Sequence, residues 1–315
     1  MKCSPPLLSL VLAALLGLGC ATTPPALAPV PAQGPPAAPA ERAFLWEVTS
    51  AHAQGGTAYV VGSIHLGRPG ELSFPASMEA AFTRSDALVV EVDVGAVDAV
   101  ALQRFILEQG VLPPGERLSE RLDPETAKLL GPAAERVGLP LAGLERMRPW
   151  VVSVTLSVME LQRAGYQSGL GVDRVFLDRA RGVMDIVELE SAEGQLRMLA
   201  SLPEPLQDAM LRDQLSRSEQ LTQGLERITQ AWKAGDAEGM EALVFRDQTD
   251  PALGLVYEKL FDERNARMAE ALGKMLAQRR TWFVVVGAGH VVGPRGLLAL
   301  LEQQGHQVRQ LPKVP

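Results

Sequence analysis

The sequence predicts an α/β fold, a mixed central β-sheet built from both chain ends around a largely helical middle region. Three observations predict it. Strand-like apolar runs cluster at 44–94 and again at 281–311. The span from about 97 to 280 is helical in pattern, with one strand-like interruption at 183–190. Finally, no 20–50-residue repeat is present, which excludes a solenoid.

The elements follow in order. "FLWEV" (44–48) and "TAYVVGSIHL" (57–66) read as strands joined by the hairpin-type connection "AHAQGG". "PASMEAAFTRS" (75–85) reads as a helix with proline at its start. "DALVVEVDV" (86–94) is a β-rich run suited to a buried strand. "WVVSVTLSVMELQRAG", "VDRVFLDRA" and "QTDPALGLVYEKLFDERNARMAEALGKMLAQ" carry the clearest helical patterns. "VMDIVELE" (183–190) is a strand followed by the helix "SAEGQLRML". Trp232 in "AWKAGD" ends a helix stopped by Gly235, and Asp236 caps the next. The C-terminal unit is the strand "TWFVVVGAG", the helix "PRGLLALLEQQ" stopped by Gly305, and the strand "HQVRQL". The organisation is therefore a leader over 1–20, a linker over 21–40 and one domain over 41–315.

The leader has one early basic residue, Lys2, and an apolar run from Leu7 to Leu18 that is too short to span a bilayer. That is a secretory signal with a lipobox-like end, and Cys20 is the expected lipidation site. Gly17 departs from the leucine usual three places before such a cysteine. The seven prolines of 21–40 make an extended tether. The expected location is the periplasmic side of the outer membrane, as a lipoprotein, or otherwise secreted or periplasmic. Apolar residues are 47% and charged residues 21%, as in a globular chain. A formal charge of −7 without basic runs excludes a broad nucleic-acid footprint. The only cysteines are Cys3 and Cys20, so the domain has no disulfide, cysteine nucleophile or cysteine-based zinc site. No phosphate-binding glycine loop, His-Glu-x-x-His helix or G-x-S-x-G elbow is present.

Two strands end in the same way. "VVGSIH" places Gly62 three residues before His65, and "VVGAGH" places Gly287 three before His290. Glycine is read here as letting the chain turn sharply as it leaves the sheet. The histidines then stand beyond the carboxyl ends of strands, where open α/β sheets place ligands. Either two imidazoles converge there, or each is satisfied by backbone groups at its own strand end. Glu91, in an otherwise apolar strand, is costly unless paired or at the rim. Glu188 and Glu190 close another strand, either at that rim or as a solvated end. Two imidazoles with one or two carboxylates suit a divalent ion with open positions, and a spare glutamate can act as general base. Arg264, with Asn265 beside it, either pairs with acidic neighbours or faces developing negative charge. Asp173 is read as a helix cap, and His52 and His306 as bystanders.

Taken together, "FLWEVTS…TAYVVGSIHLG", "ALVVEVDV", "GVDRVFLDRA", "VELESAEGQLRML", "AWKAGDAEGMEALV", "DERNARMAEAL" and "FVVVGAGHVVGPRGLLALLEQQGHQV" resemble the successive blocks of the TraB/PrgY/GumN family. The resemblance implies a Tiki-type metalloprotease-like fold, related to the erythromycin esterase and ChaN-like group. It implies two GX2H motifs, carried here by Gly62–His65 and Gly287–His290, and an essential glutamate, matched by Glu91. The family's "LET" block stands here as "LES", giving Glu190 with serine at 191, and the Arg-Asn pair matches Arg264 and Asn265. A manganese- or cobalt-like ion, or zinc, is implied at His65, His290 and Glu91, with Glu91, Glu190, Arg264 and Asn265 in catalytic roles. The expected function is a membrane-tethered, metal-dependent hydrolase of peptide or protein substrates. The alternatives are a non-catalytic haem- or metal-binding envelope lipoprotein and a scaffold in envelope or exopolysaccharide assembly.

Overall fold

The computed structural model describes residues 41–245 and 250–315. The leader, Cys20 and the linker lie outside the described residues, as do Gln248 and Thr249 of the long helical run.

Six strands form one sheet: β1 (Arg42–Thr49), β2 (Thr57–Ser63), β3 (Ala87–Val90), β4 (Asp185–Glu188), β5 (Thr281–Gly287) and β6 (Gln307–Pro312). Their order is β4-β3-β5-β2-β1-β6. The four strands from β4 to β2 are parallel, whereas β1 is antiparallel to both β2 and β6. Strands from both chain ends do build the sheet, and β5 from the C-terminal end lies between β2 and β3. The register of β2 on β5 pairs Gly62 with Val286 and Ser63 with Gly287. Both strands are buried beyond their first residue, and β3 is buried throughout. Parallel strands covered on both faces need such unbroken apolar runs.

Helices fill the middle. They are α1 (Ala76–Thr83), α2 (Ala99–Gln109), α3 (Leu118–Arg121), α4 (Pro124–Val137), α5 (Leu141–Leu144), α6 (Pro149–Arg163), α7 (Val172–Ala180) and α8 (Ala192–Ser201). After them come α9 (Glu204–Arg217), α10 (Leu221–Ala234), α11 (Ala237–Val244), α12 (Pro251–Tyr257) and α13 (Glu263–Leu276). A π-helical turn, Glu258–Asp262, joins α12 to α13. The single turn α14 (Ala288–Val291) and α15 (Leu297–Gln303) complete the set. Gly235 does end α10, in the left-handed region at φ 66°, and Asp236 caps α11 through the Gly239 N–H. Among the described residues no helix is long and apolar enough to cross a membrane.

The main core surrounds the sheet, with Phe74, Phe82, Phe176 and Phe283 in mutual ring contact. A second apolar cluster, including Leu118, Leu130, Leu156 and Leu211, joins α3, α4, α6 and α9. Three elements depart from expectation. β3 stops at Val90 instead of running to 94, because the chain bends and the Asp93 N–H donates to Glu188 Oε1 at 2.6 Å. β4 spans four residues, so Glu190 lies beyond it. The strand expected through 289 ends at Gly287, and His290 lies in the helical turn α14.

Candidate functional site

Four neighbouring parallel strands deliver one side chain each to the rim at their carboxyl ends. His65 follows β2, His290 follows β5, Glu91 follows β3 and Glu190 follows β4. The Glu190 N–H donates to the Glu91 carbonyl at 2.9 Å, extending the β3–β4 ladder one step and setting the glutamates side by side.

The two motif glycines are required for space, which corrects the expectation that they serve a sharp turn. Neither has a positive φ, and Gly287 has φ −51° and ψ 139°. A Cβ on Gly62 would stand 2.3 Å from the Phe44 ring. A Cβ on Gly287 would stand 2.9 Å from His65 Nε2 and 3.1 Å from Glu91 Oε1. The bare α-carbon of Gly287 therefore forms the floor on which both of those groups, and His290, converge.

Arg264 holds the carboxylates. It is 2% exposed. Its Nη2 donates to Glu91 Oε2 and to Glu190 Oε2 at 2.6 Å each, Nε donates to Glu190 at 2.9 Å, and Nη1 donates to the Leu260 carbonyl at 3.0 Å. Each of its three nitrogens thus donates within the protein, and it acts here as a clasp. Gln195 Nε2 adds a bond to Glu190 Oε2 at 2.9 Å. The Gly287 N–H donates to Glu91 Oε1.

Each imidazole has its Nδ1 turned toward an oxygen. Asn265 Nδ2 donates to the Arg295 carbonyl at 2.8 Å, so its Oδ1 faces His290 Nδ1 at 2.6 Å and makes that nitrogen the protonated one. His290 Nε2 then faces Glu91 Oε2 at 3.8 Å. His65 Nδ1 lies 3.2 Å from Asp173 Oδ1, a charge contact off the line of a good hydrogen bond. The Ser63 hydroxyl donates to that same carboxylate oxygen at 2.6 Å.

Electrostatics separates the two rings. Burial opposes a charge on His65, yet Asp173 and then Glu91 outweigh it and raise its pKa to about 9. Burial, reinforced by Arg264, lowers that of His290 to about 4. Burial would raise Glu91, but His290, Arg264 and His65 hold it at about 2. Glu190 is also lowered, Arg264 overcoming the effect of burial. Neither glutamate is therefore a natural proton acceptor near neutral pH.

Asp173 is not a cap. Gly171 occupies that position in α7, and the Asp173 carboxylate serves Ser63 and His65. Ser63 and Gln195 were not singled out by sequence reasoning. Their signal was adjacency, Ser63 lying inside the first GX2H motif and Gln195 in the first turns of the helix that follows Glu190. Glu188 turns instead to the Asp93 N–H, and His306 accepts from the Ala51 N–H at 3.1 Å.

The donor set suits a divalent cation. Histidine ligands characteristically use one ring nitrogen for the metal while the other donates to a carboxylate or carbonyl; His290 has that arrangement, and His65 sets its Nδ1 in charge contact with Asp173. The unfilled Cβ position of Gly287 adds a space bordered by His65 Nε2 and Glu91 Oε1. Among the described residues no three His, Cys, Asp or Glu side chains already form a ligand group, Glu91 being drawn to Arg264. A cleft of about 220 Å³ opens beside Glu190, between Ser191, Gly194, Gln195 and Met198 on one side and Arg264 and Arg267 on the other.

The profile of the TraB/PrgY/gumN family matches residues 44–310. Uncharacterized protein YbaP of Escherichia coli (strain K12) is 25% identical over 244 residues, covering 77% of this chain and 87% of the relative. The protein of the same name from Shigella flexneri matches with the same figures. No solved structure matches significantly.

Proposed function

The chain belongs to the TraB/PrgY/gumN family, and from that membership and the rim geometry we propose that it is a metal-dependent hydrolase of peptide or protein bonds. The observation that supports this reading best is the convergence of two histidines from adjacent parallel strands, each with Nδ1 facing an oxygen, His290 Nε2 lying 3.8 Å from Glu91 and His65 Nε2 bordering Gly287 beside the same carboxylate. His65, His290 and Glu91 would hold a manganese, cobalt or zinc ion. When bound, such an ion supplies Lewis acidity toward a carbonyl oxygen.

The remaining work falls to the chain itself. Asn265 fixes the ring of His290, and Asp173 orients His65 and balances its charge. Arg264 holds Glu91 and Glu190 at one edge, so that substrate meets an arranged set of groups and little reorganisation is needed. Glu91 is better suited to being a ligand than a base, its carboxyl being held at about 2. The cleft beside Glu190 is the approach for substrate, with Arg267 at its exposed lip. We place this activity in the cell envelope, with the chain tethered through Cys20 and the proline-rich 21–40 segment. Nothing in the geometry favours the haem-binding alternative, because His290 is 2% exposed and offers no face to a macrocycle.

The test is metal stripping of the purified protein followed by readdition. Peptide cleavage is expected to disappear on chelation, to return with manganese or cobalt, and to be absent in His65→Ala at any metal concentration. Cleavage that persists in His65→Ala overturns the proposal.

A further inference from the structure

The helix that supplies Arg264 and Asn265 is out of step with an ordinary α-helix, and its burial pattern shows why. From α12 into α13 the buried residues come as adjacent pairs every four positions: 256/257, 260/261, 264/265 and 268/269. At 3.6 residues per turn, a step of four overshoots by about 40°. Three steps from the first pair to the last thus carry the buried face roughly 120° around a plain α-helix. The π turn Glu258–Asp262 contains the wider i→i+5 spacing, and one extra residue takes up about 100° of that drift. The pairs 256/257 and 264/265 therefore stay on one face, while in the plain α-helix beyond the same spacing drifts through Leu272 and Leu276.

That face is the site. Within the π turn, Leu260 offers its carbonyl to Arg264 Nη1 at 3.0 Å. The ring of Phe261 lies 5.1 Å from that of His290, centroid to centroid. Asp262 pairs with Arg295, whose carbonyl holds Asn265. One turn later Arg264 clasps the glutamates and Asn265 fixes His290. By contrast Glu258 and Lys259, the first two residues of the π turn, are exposed and make no contact with the site.

We propose that this π turn is a phase-setting device that lets two adjacent residues, Arg264 and Asn265, serve different groups of one site, with Phe261 as a further positioning residue for His290. An isolated π turn is rarer and poorer in hydrogen-bond geometry than the α-helix around it. It persists here because plain α-helix would turn either Val256 and Tyr257 or the Arg264–Asn265 pair off the common face.

The test uses the full chain and reads His290 directly. In the metal-free protein, long-range proton–nitrogen NMR at neutral pH reports the tautomer of each histidine. Wild type is expected to show His290 fixed with its proton on Nδ1. The deciding pair brackets the extra residue. Deleting Lys259 removes it and leaves Arg264 and Asn265 in phase with Val256 and Tyr257, so this variant is expected to fold, by circular dichroism, and to keep His290 fixed with its proton on Nδ1. Inserting one alanine between Lys259 and Leu260 turns the pair about 100° further, and that variant is expected to fold and to show His290 exchanging between tautomers. A folded deletion variant with exchanging tautomers overturns the proposal, as does a folded insertion variant with one fixed Nδ1–H tautomer, or wild type with mixed tautomers. Should either variant fail to fold, Phe261→Leu, which preserves length, decides. It is expected to broaden or shift the His290 ring signals while leaving those of His306 in place, and an unchanged His290 spectrum overturns the proposal. Cobalt binding by the same proteins separates this inference from the metal reading on which its purpose rests. Loss of the fixed tautomer, in a protein whose wild type takes up no cobalt, supports the phase device and rejects the metal.

Discussion

Replacing Arg264 by methionine tests the rim most directly. The guanidinium is 2% exposed and the side chains of Glu91 and Glu190 are 11% and 12% exposed, so solvent screens the cluster little. Methionine roughly fills the space but leaves two adjacent carboxylates without their shared cation. Removing one partner of such a buried pair typically costs about 3–5 kcal/mol. At about 2 °C per kcal/mol for a domain of this size, the midpoint of thermal unfolding should fall by roughly 6–10 °C. The pH dependence gives the cause. In wild type both carboxyls sit below their ordinary value, so their contribution is full above the unfolded pKa and is lost as pH falls through the folded one. In the variant burial and mutual repulsion push them up, so the deficit is largest at neutral pH and closes as they take up protons. Melting followed by circular dichroism from pH 4 to pH 8 should therefore show the two proteins converging on acidification. Adding Glu91→Gln and Glu190→Gln to the variant should restore most of the loss at neutral pH. A deficit below about 1 kcal/mol, or one of equal size at both ends of the range, contradicts the clasp.

Three further outcomes are expected. Gly287→Ala suits the backbone but sets a methyl 2.9 Å from His65 Nε2, so cobalt affinity measured by calorimetry should fall about tenfold or more while the melting midpoint moves little. Gly62→Ala drives a methyl into the Phe44 ring and should cost about 1–3 kcal/mol in urea unfolding, partly recovered by Phe44→Leu. The Glu160 carboxyl is raised by burial, only partly offset by Arg136, and its Oε2 has no partner. Stability should therefore decline as pH rises from the unfolded value through the folded one, and Glu160→Gln should melt higher than wild type at pH 8 but not at pH 4.

Most of the sheet was legible because the buried parallel strands β2, β3 and β5 need unbroken apolar runs, and these stand near the chain ends, whereas the half-exposed edge strand β4 showed only as a break in the helical pattern. The paired GX2H elbows were legible for the same reason, each following such a strand. Glu91 stood out as a carboxylate in an apolar run, although its strand ends one residue before it. Asp173 and Gln195 were harder, since what recruits them is the packing of α7 and α8 against the rim, and no local pattern carries that. The glycines were noticed but their work was misassigned. Sequence reveals that a side chain is missing, and only the neighbours Phe44, His65 and Glu91 reveal that the reason is crowding and not backbone torsion. The π turn was not legible, because the buried pair Arg264–Asn265 stands in the all-polar run "DERN" and only the folded chain shows which of those residues face inward.

The position of β5 also governs when this protein can exist. Its two neighbours, β2 and β3, are made more than 190 residues earlier, and until the chain has been synthesised past Gly287 they have no strand to join them. A nascent chain halted short of Thr281 leaves bare the edges of β2 and β3 that β5 covers in the finished sheet, a state prone to association with other chains. His290 follows that strand directly, in α14, so a copy halted there lacks the second histidine as well as the middle of its sheet, and the two arrive together.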